Sequence, residues 1–295
     1  MKKVGREPTF NPKPLLDELH KIRRLNSYEV SRKMERRGIS ESNGMIQFTR
    51  KKTRDGHLCN DHVVFFTTNH AKAAILMDGA GSLTDKSTAL QIKQAFNQNG
   101  SRLLASMTDL LSENKVMESK GLLDSFLSKA LQNTTESTTF NMVIKLNDGI
   151  HNFYLGDTDY AQYNSTNQAI RHHPTANDLS YWFNSGGFNS ADHPPGGSPP
   201  QLHHSYYPFS SGDIGVLMTD GISKCLWGTF VIHTKLRDKE SKPTPGNTTD
   251  FKKLKDLTEI YKRDARKLAL AMHALNLSIC PGIFPTDDST LVLIT

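Results

Sequence analysis

The stretch that most constrains this chain is Ala73-Ala74-Ile75-Leu76-Met77-Asp78-Gly79-Ala80-Gly81, a short apolar run ending in an aspartate set in a glycine turn. An apolar run of this length bounded by turn residues reads as a strand buried on both faces, and the glycines permit a sharp turn and close approach of a ligand. The pattern recurs. Phe153-Tyr154-Leu155-Gly156-Asp157, Val216-Leu217-Met218-Thr219-Asp220-Gly221 and Asp287-Asp288-Ser289-Thr290-Leu291-Val292-Leu293-Ile294 each put an aspartate at a strand end. Four such ends are able to meet at one place.

Asp78, Asp157, Asp220 and Asp287 are hard oxygen donors with no Cys or His in a matching pattern, which suits Mg²⁺ or Mn²⁺ better than zinc. Two carboxylates about 4 Å apart repel by roughly 4 kcal/mol at an effective dielectric of about 20. Set against a domain stability of about 5–15 kcal/mol, convergence of several carboxylates requires cations. A pair of such ions lowers the pKa of a bound water to about 7 and clamps the oxygens of a phosphoryl group during in-line attack. That chemistry is phosphate-ester hydrolysis without a protein nucleophile. Taken singly, each aspartate would do no more than cap a strand or a turn, so the assignment rests on the four together.

The N-terminal segment has a different character. Leu15, Leu16, Leu19, Ile22 and Leu25 recur at helical spacing until Gly38, and residues 1–37 hold 11 Lys/Arg against 5 Asp/Glu, a surplus equal to the whole formal charge of +6. Residues 1–40 therefore read as a basic helical N-terminal extension that either packs through its leucines or docks on an acidic partner. Nucleic acid is not the expected partner, because only Tyr28 interleaves with the basic residues. Cys59, Cys225 and Cys280 are odd in number and unpaired in spacing, which points to a reducing compartment without a disulfide framework. No apolar run approaches the roughly 20 residues of a membrane span. The expectation is a cytoplasmic monomer, and delivery into another cell is compatible with the same features.

From residue 41 to 295 the chain reads as one domain. Val63–Phe66 and Ala73–Leu76 form a probable hairpin, helices follow over Thr84–Gln98, Leu103–Leu111 and Leu122–Leu131, and strand character returns from Thr138 to Tyr163. Residues 164–211 are rich in Asn, Ser, Pro, Gly and His and read as a long surface excursion carrying Tyr181, Trp182, Phe183, Tyr206 and Tyr207. Its histidine pairs, His172-His173 and His203-His204, are expected to be exposed to solvent. A strand over Ile214–Thr219, a flexible polar stretch over 238–250, a helix over Leu254–Leu275 and a strand over Thr290–Ile294 complete the order.

These residues resemble the metal-dependent protein phosphatases of type 2C, the PPM family, over about residues 45–295. Asp78-Gly79-Ala80-Gly81 is similar to the family's Asp-Gly-x-Gly motif, and Asn60-Asp61 to the end of its upstream motif. Ser137-Thr138-Thr139 with Gly156-Asp157-Thr158 is similar to its Gly-Ser-Thr and Gly-Asp-Ser pair. Thr219-Asp220-Gly221 resembles Ser-Asp-Gly, and Asp287-Asp288-Ser289-Thr290 resembles Asp-Asn-x-Thr. The resemblance implies an α+β fold, a four-layer α-β-β-α sandwich of two mostly antiparallel sheets flanked by helices, with a flap-like loop at about 164–211. It implies a serine/threonine protein phosphatase that hydrolyses phosphomonoesters by attack of a metal-bridging water on a phosphoprotein substrate. Asp78 would bridge two Mg²⁺ or Mn²⁺ ions, Gly79 would lend a carbonyl, Asp220 and Asp287 would hold the first ion, and Asp157 would attend a third, weaker one. Asp61 would act through water.

The departures are specific. The arginine that holds the substrate phosphate in many members stands five residues before the upstream aspartate, where this chain has Gly56; Arg54 is two residues away. Animal members carry histidine third in Asp-Gly-x-Gly to protonate the leaving alkoxide, and here the residue is Ala80; His57 and His62 are the nearby substitutes. The alternative reading is a pseudophosphatase, a phosphoprotein-binding module of the same fold with little turnover.

Overall fold

The computed structural model describes residues 13–50, 61–80, 88–131, 137–147, 149–156, 158–173, 202–219, 222, 257–261, 263–279 and 288–295. Its strands are β1 (Ser40–Ser42), β2 (Met45–Arg50), β3 (His62–Thr67), β4 (Lys72–Met77), β5 (Gly79–Ala80), β6 (Ser137–Thr138), β7 (Phe140–Lys145), β8 (Gly149–Leu155), β9 (Asp159–Asn164), β10 (Ala169–His173), β11 (His203–Pro208), β12 (Ile214–Met218) and β13 (Ser289–Ile294). The helices are α1 (Lys13–Arg24), α2 (Ser27–Arg36), α3 (Thr88–Ser112), α4 (Val116–Ala130) and α5 (Ala265–Ile279).

Two antiparallel sheets result, ordered β1-β2-β13-β12-β9-β10 and β11-β8-β7-β4-β3. Their inner faces meet over Met45, Ala74, Leu76, Val143, Ile150, Tyr160, Leu217 and Val292. Helices α3 and α4 cover the outer face of the second sheet, burying Ile92, Phe96, Leu104, Leu123 and Leu127 against Ala73, Ile75, Met142 and Phe153. Helices α1, α2 and α5 cover the first, where Ile22, Val30, Met34, Leu268 and Met272 pack on Ile46, Phe48, Val216 and Leu293. This is the expected four-layer α-β-β-α arrangement. Strand β4 is apolar on both sides because odd-numbered Ala73, Ile75 and Met77 face the helices while Ala74 and Leu76 face the other sheet.

Several local readings are corrected. The single helix read from Leu15 to Gly38 is two, because Asn26 starts a new one with a capping box: its side chain accepts from the Glu29 N–H at 3.0 Å, and the Glu29 carboxylate accepts from the Asn26 N–H at 2.8 Å. The break lets both helices lie on α5, and the hydroxyl of Tyr261, in the helical turn before α5, donates to the Leu19 carbonyl at 2.8 Å. The two helices read over 84–111 are one, α3, which runs unbroken through Gly100. A Cβ there would lie 2.3 Å from the Phe66 ring, so glycine serves helix–sheet contact rather than a helix end.

The excursion at 164–211 is likewise part sheet. Its first residues form β10 on one sheet edge and its last form β11 on the edge of the other. His203-His204 therefore sit on a strand, not in a loop, and half-buried His204 packs on His151 and Phe153. Tyr207 stacks on Tyr160 between the sheets, and Tyr206 packs on His151. Tyr181, Trp182, Phe183 and the stretch 238–250 lie outside the described residues. The last helix begins at Ala265 after a separate helical turn over 257–261, with Asp264 accepting from the Lys267 N–H at 3.1 Å.

Candidate metal centre

The antiparallel ladder of β3 and β4 ends at the pair His62 and Met77, and Asp61 and Asp78 are the next residues on each strand. Both carboxylate residues are buried, at 6% and 9% exposure. Asp78 is held by its backbone. Its N–H donates to the Thr139 hydroxyl at 3.0 Å, and its carbonyl accepts from the Thr139 N–H at 2.9 Å and from the Thr138 hydroxyl at 2.9 Å. Beyond it Gly79 pairs with Thr138 in the short β5–β6 ladder. Three hydrogen bonds, one on its N–H and two on its carbonyl, fix the Asp78 backbone on both sides of its Cα.

The ladders bring the other motif-bearing ends to the same place. Leu155 at the end of β8 pairs with Phe140 at the start of β7, next to Thr139. In the other sheet, Met218 at the end of β12 pairs with Leu291 of β13 and with Asp159 at the start of β9. Thr219 joins the two sheets: its hydroxyl donates to Asp61 Oδ2 at 3.2 Å and accepts from the Thr290 N–H at 2.9 Å, and its own N–H donates to the Thr290 carbonyl at 3.0 Å. Asp288, 8% exposed, stands just before β13.

His62 faces this charge. Burial, and secondarily Lys93, push its pKa down to about 4 against the opposing pull of Asp288. With that pKa it is uncharged at pH 7.

Of the residues expected in the site, Asp61, Asp78 and Gly79 are brought together. Arg54, Gly56, His57, Asp157, Asp220 and Asp287 lie outside the described residues, and among the described residues no three of His, Cys, Asp and Glu gather closely enough to hold an ion. The donors that are described fit the expected ion, since buried carboxylates at adjoining strand ends are the hard oxygen ligands that Mg²⁺ and Mn²⁺ take. The roles of Thr138, Thr139 and Thr219 as orienting groups have no counterpart in the sequence reading, where they appear only as letters in motifs. Thr219 does adjoin an acidic motif, Asp220-Gly221, whereas Thr138 and Thr139 stand beside no aspartate in the sequence.

Neither a comparison with protein-family models nor one with curated proteins finds a match. Among solved structures, the SiaA-PP2C domain of Pseudomonas aeruginosa superposes with a TM-score of 0.52 at 14% identity, covering 96% of this chain and 97% of that one. The chain has the fold of the type 2C phosphatases. The phosphatase domain of the cell fate determinant SpoIIE from Bacillus subtilis matches with a TM-score of 0.46 at 15% identity, covering 86% of this chain and 93% of that one. The serine/threonine phosphatase PstP/Ppp of Mycobacterium tuberculosis gives 0.45 at 12%, with 84% and 97% covered. In this type 2C fold Asp61 and Asp78 stand at adjoining strand ends, while residues 174–201, between β10 and β11, lie outside the described part.

Proposed function

We propose that the chain is a Mg²⁺- or Mn²⁺-dependent phosphatase acting on phosphoserine or phosphothreonine in proteins. The observation that carries the reading is the placement of buried Asp61 and Asp78 at adjoining strand ends, with Thr219 of the opposite sheet bonded to Asp61. Asp78 and the Gly79 carbonyl, with Asp157, Asp220 and Asp287, would hold the ions. Bound there, a pair of ions supplies a water acidic enough to attack at neutral pH and neutralises the phosphoryl oxygens.

The chain's own residues do the rest. Thr138 and Thr139 fix the Asp78 backbone so that its carboxylate has one anchored origin. Arg54 is the residue assigned to the substrate phosphate in place of the arginine absent at Gly56. Ala80 stands where animal members carry the histidine that protonates the leaving group.

Release of phosphate from an aryl phosphate and from a phosphothreonine peptide, measured with Mn²⁺, Mg²⁺ or EDTA beside an Asp78→Asn control, tests the reading. Metal-dependent release abolished in the control supports it. Metal-dependent thermal stabilisation without release, lost in the control, would leave a binding module of the same fold, the outcome that the substitutions at 56 and 80 favour. The absence of both release and stabilisation would overturn the metal centre itself.

A further inference from the structure

We infer that Thr219 is a positioning residue, whose hydroxyl fixes Asp61 of one sheet against the β12 and β13 ends of the other. The inference rests on the metal-centre reading above and adds to it a specific role for a neutral side chain.

A threonine hydroxyl has one proton and two lone pairs. The Thr290 N–H, at 2.9 Å, takes up one lone pair, and an ionised Asp61 carboxylate, at 3.2 Å, can only accept. The proton is thereby directed at Asp61 Oδ2. Thr219 has no freedom to do otherwise, because its N–H is bonded to the Thr290 carbonyl at 3.0 Å and its β-branched side chain is restricted at χ1. It is fully buried, so water does not compete for the bond.

One of these three bonds, Thr219 to Asp61, crosses between the sheets, and the other two hold Thr219 to the neighbouring strand of its own sheet. Asp61 precedes β3, Thr219 follows β12, and Thr290 lies in β13. Asp220 and Asp287, assigned to the ions, are one residue after Thr219 and three before Thr290 in the sequence. A ligand set drawn from both sheets holds its spacing only if the sheets are registered where they meet, and Thr219 is placed to register them. Removing a group that orients a metal-site ligand typically costs about 10–100-fold in metal affinity or activity.

The test uses the intact chain. Mn²⁺ affinity is measured by calorimetry at pH 7, and kcat and KM are measured on an aryl phosphate, for the wild type, Thr219→Val and Thr219→Ser. Valine keeps the shape and loses the hydroxyl; serine keeps the hydroxyl. We expect valine to weaken Mn²⁺ binding by about tenfold or more and to lower kcat more than it raises KM, with serine restoring both. Should the valine variant not fold, Thr219→Cys, a weaker donor of similar size, is expected to fall between serine and wild type on one side and complete loss on the other. Unchanged Mn²⁺ affinity and kcat in a folded valine or cysteine variant, with only a lower Tm, would reduce Thr219 to a structural tie and overturn the inference. A wild type that takes up no Mn²⁺ would overturn it differently, by removing the ligand set it serves.

Discussion

Gly156 lies so close to Thr139 that a Cβ on it would sit 2.8 Å from Thr139 Cγ2 and 2.9 Å from its Cβ. Thr139 is the residue whose hydroxyl accepts the Asp78 N–H, so the glycine after β8 and the aspartate after β4 are linked through one side chain.

Gly156→Ala is expected to damage both stability and site. The residue has φ +98, which costs an L-amino acid about 1–2 kcal/mol, and the overpacking against Thr139 adds about 1–3 kcal/mol. Denaturant unfolding should show a loss of about 2–5 kcal/mol, and phosphate release should fall further than the folded fraction does. A stability within 0.5 kcal/mol of wild type, a margin of about the size seen for neutral surface changes, would contradict the contact.

Asp213 closes the connection between β11 and β12. It is 2% exposed, and its carboxylate accepts from the Ser165 N–H at 2.7 Å, the Ser165 hydroxyl at 2.9 Å, the Ser210 N–H at 2.9 Å and the Gln162 amide at 3.2 Å. Asp213→Ala strands these buried donors and should cost about 3 kcal/mol in chemical unfolding. Asp213→Asn should be no remedy, since one end of the amide would point a donor at donors. An asparagine variant as stable as wild type would refute this.

Acid should weaken the fold through His204. Its pKa is depressed to about 4, first by burial and then by His151, whose Nδ1 lies 3.1 Å from His204 Nε2. The unfolded chain takes up this proton below its ordinary pKa of about 6.5, while the folded chain refuses it until about 4, so stability falls as pH drops through that window and is unaffected above it. In thermal melts from pH 7 to 4, His204→Phe, which keeps a ring against Phe153, should lose less Tm than wild type. Parallel curves for the two proteins would count against it.

The leaving group should decide the rate. With Gly56 and Ala80 in place of the family's phosphate clamp and general acid, an aryl phosphate, which departs with little protonation, should show a higher kcat/KM than a phosphoserine peptide. Arg54→Ala should raise KM for both. Equal kcat/KM values together with a harmless Arg54→Ala would remove the argument.

What the sequence by itself determined are the elements whose signal is local. The doubly apolar run of β4, the alternation over β7, the glycines beside the aspartates and the order of strands and helices were all legible, because a strand buried on both faces must be apolar throughout and a turn beside a ligand needs glycine. Asp61 and Asp78 as neighbours followed from their motifs. Only the tertiary structure decided the rest. The helices read separately over Thr84–Gln98 and Leu103–Leu111 are one, running through Gly100, whose missing side chain leaves room for the Phe66 ring. The ends of the 164–211 excursion read as loop until β9 and β8 supply the partners that make β10 and β11 edge strands. Thr219 stands in a motif, but nothing in the sequence pairs it with Asp61, since a neutral hydroxyl acquires this role only when folding brings Asp61 and Thr290 to its two sides. Periodicity and turn chemistry act between neighbours in the chain, whereas ring contacts, edge pairing and cross-sheet hydrogen bonds join residues that meet only on folding.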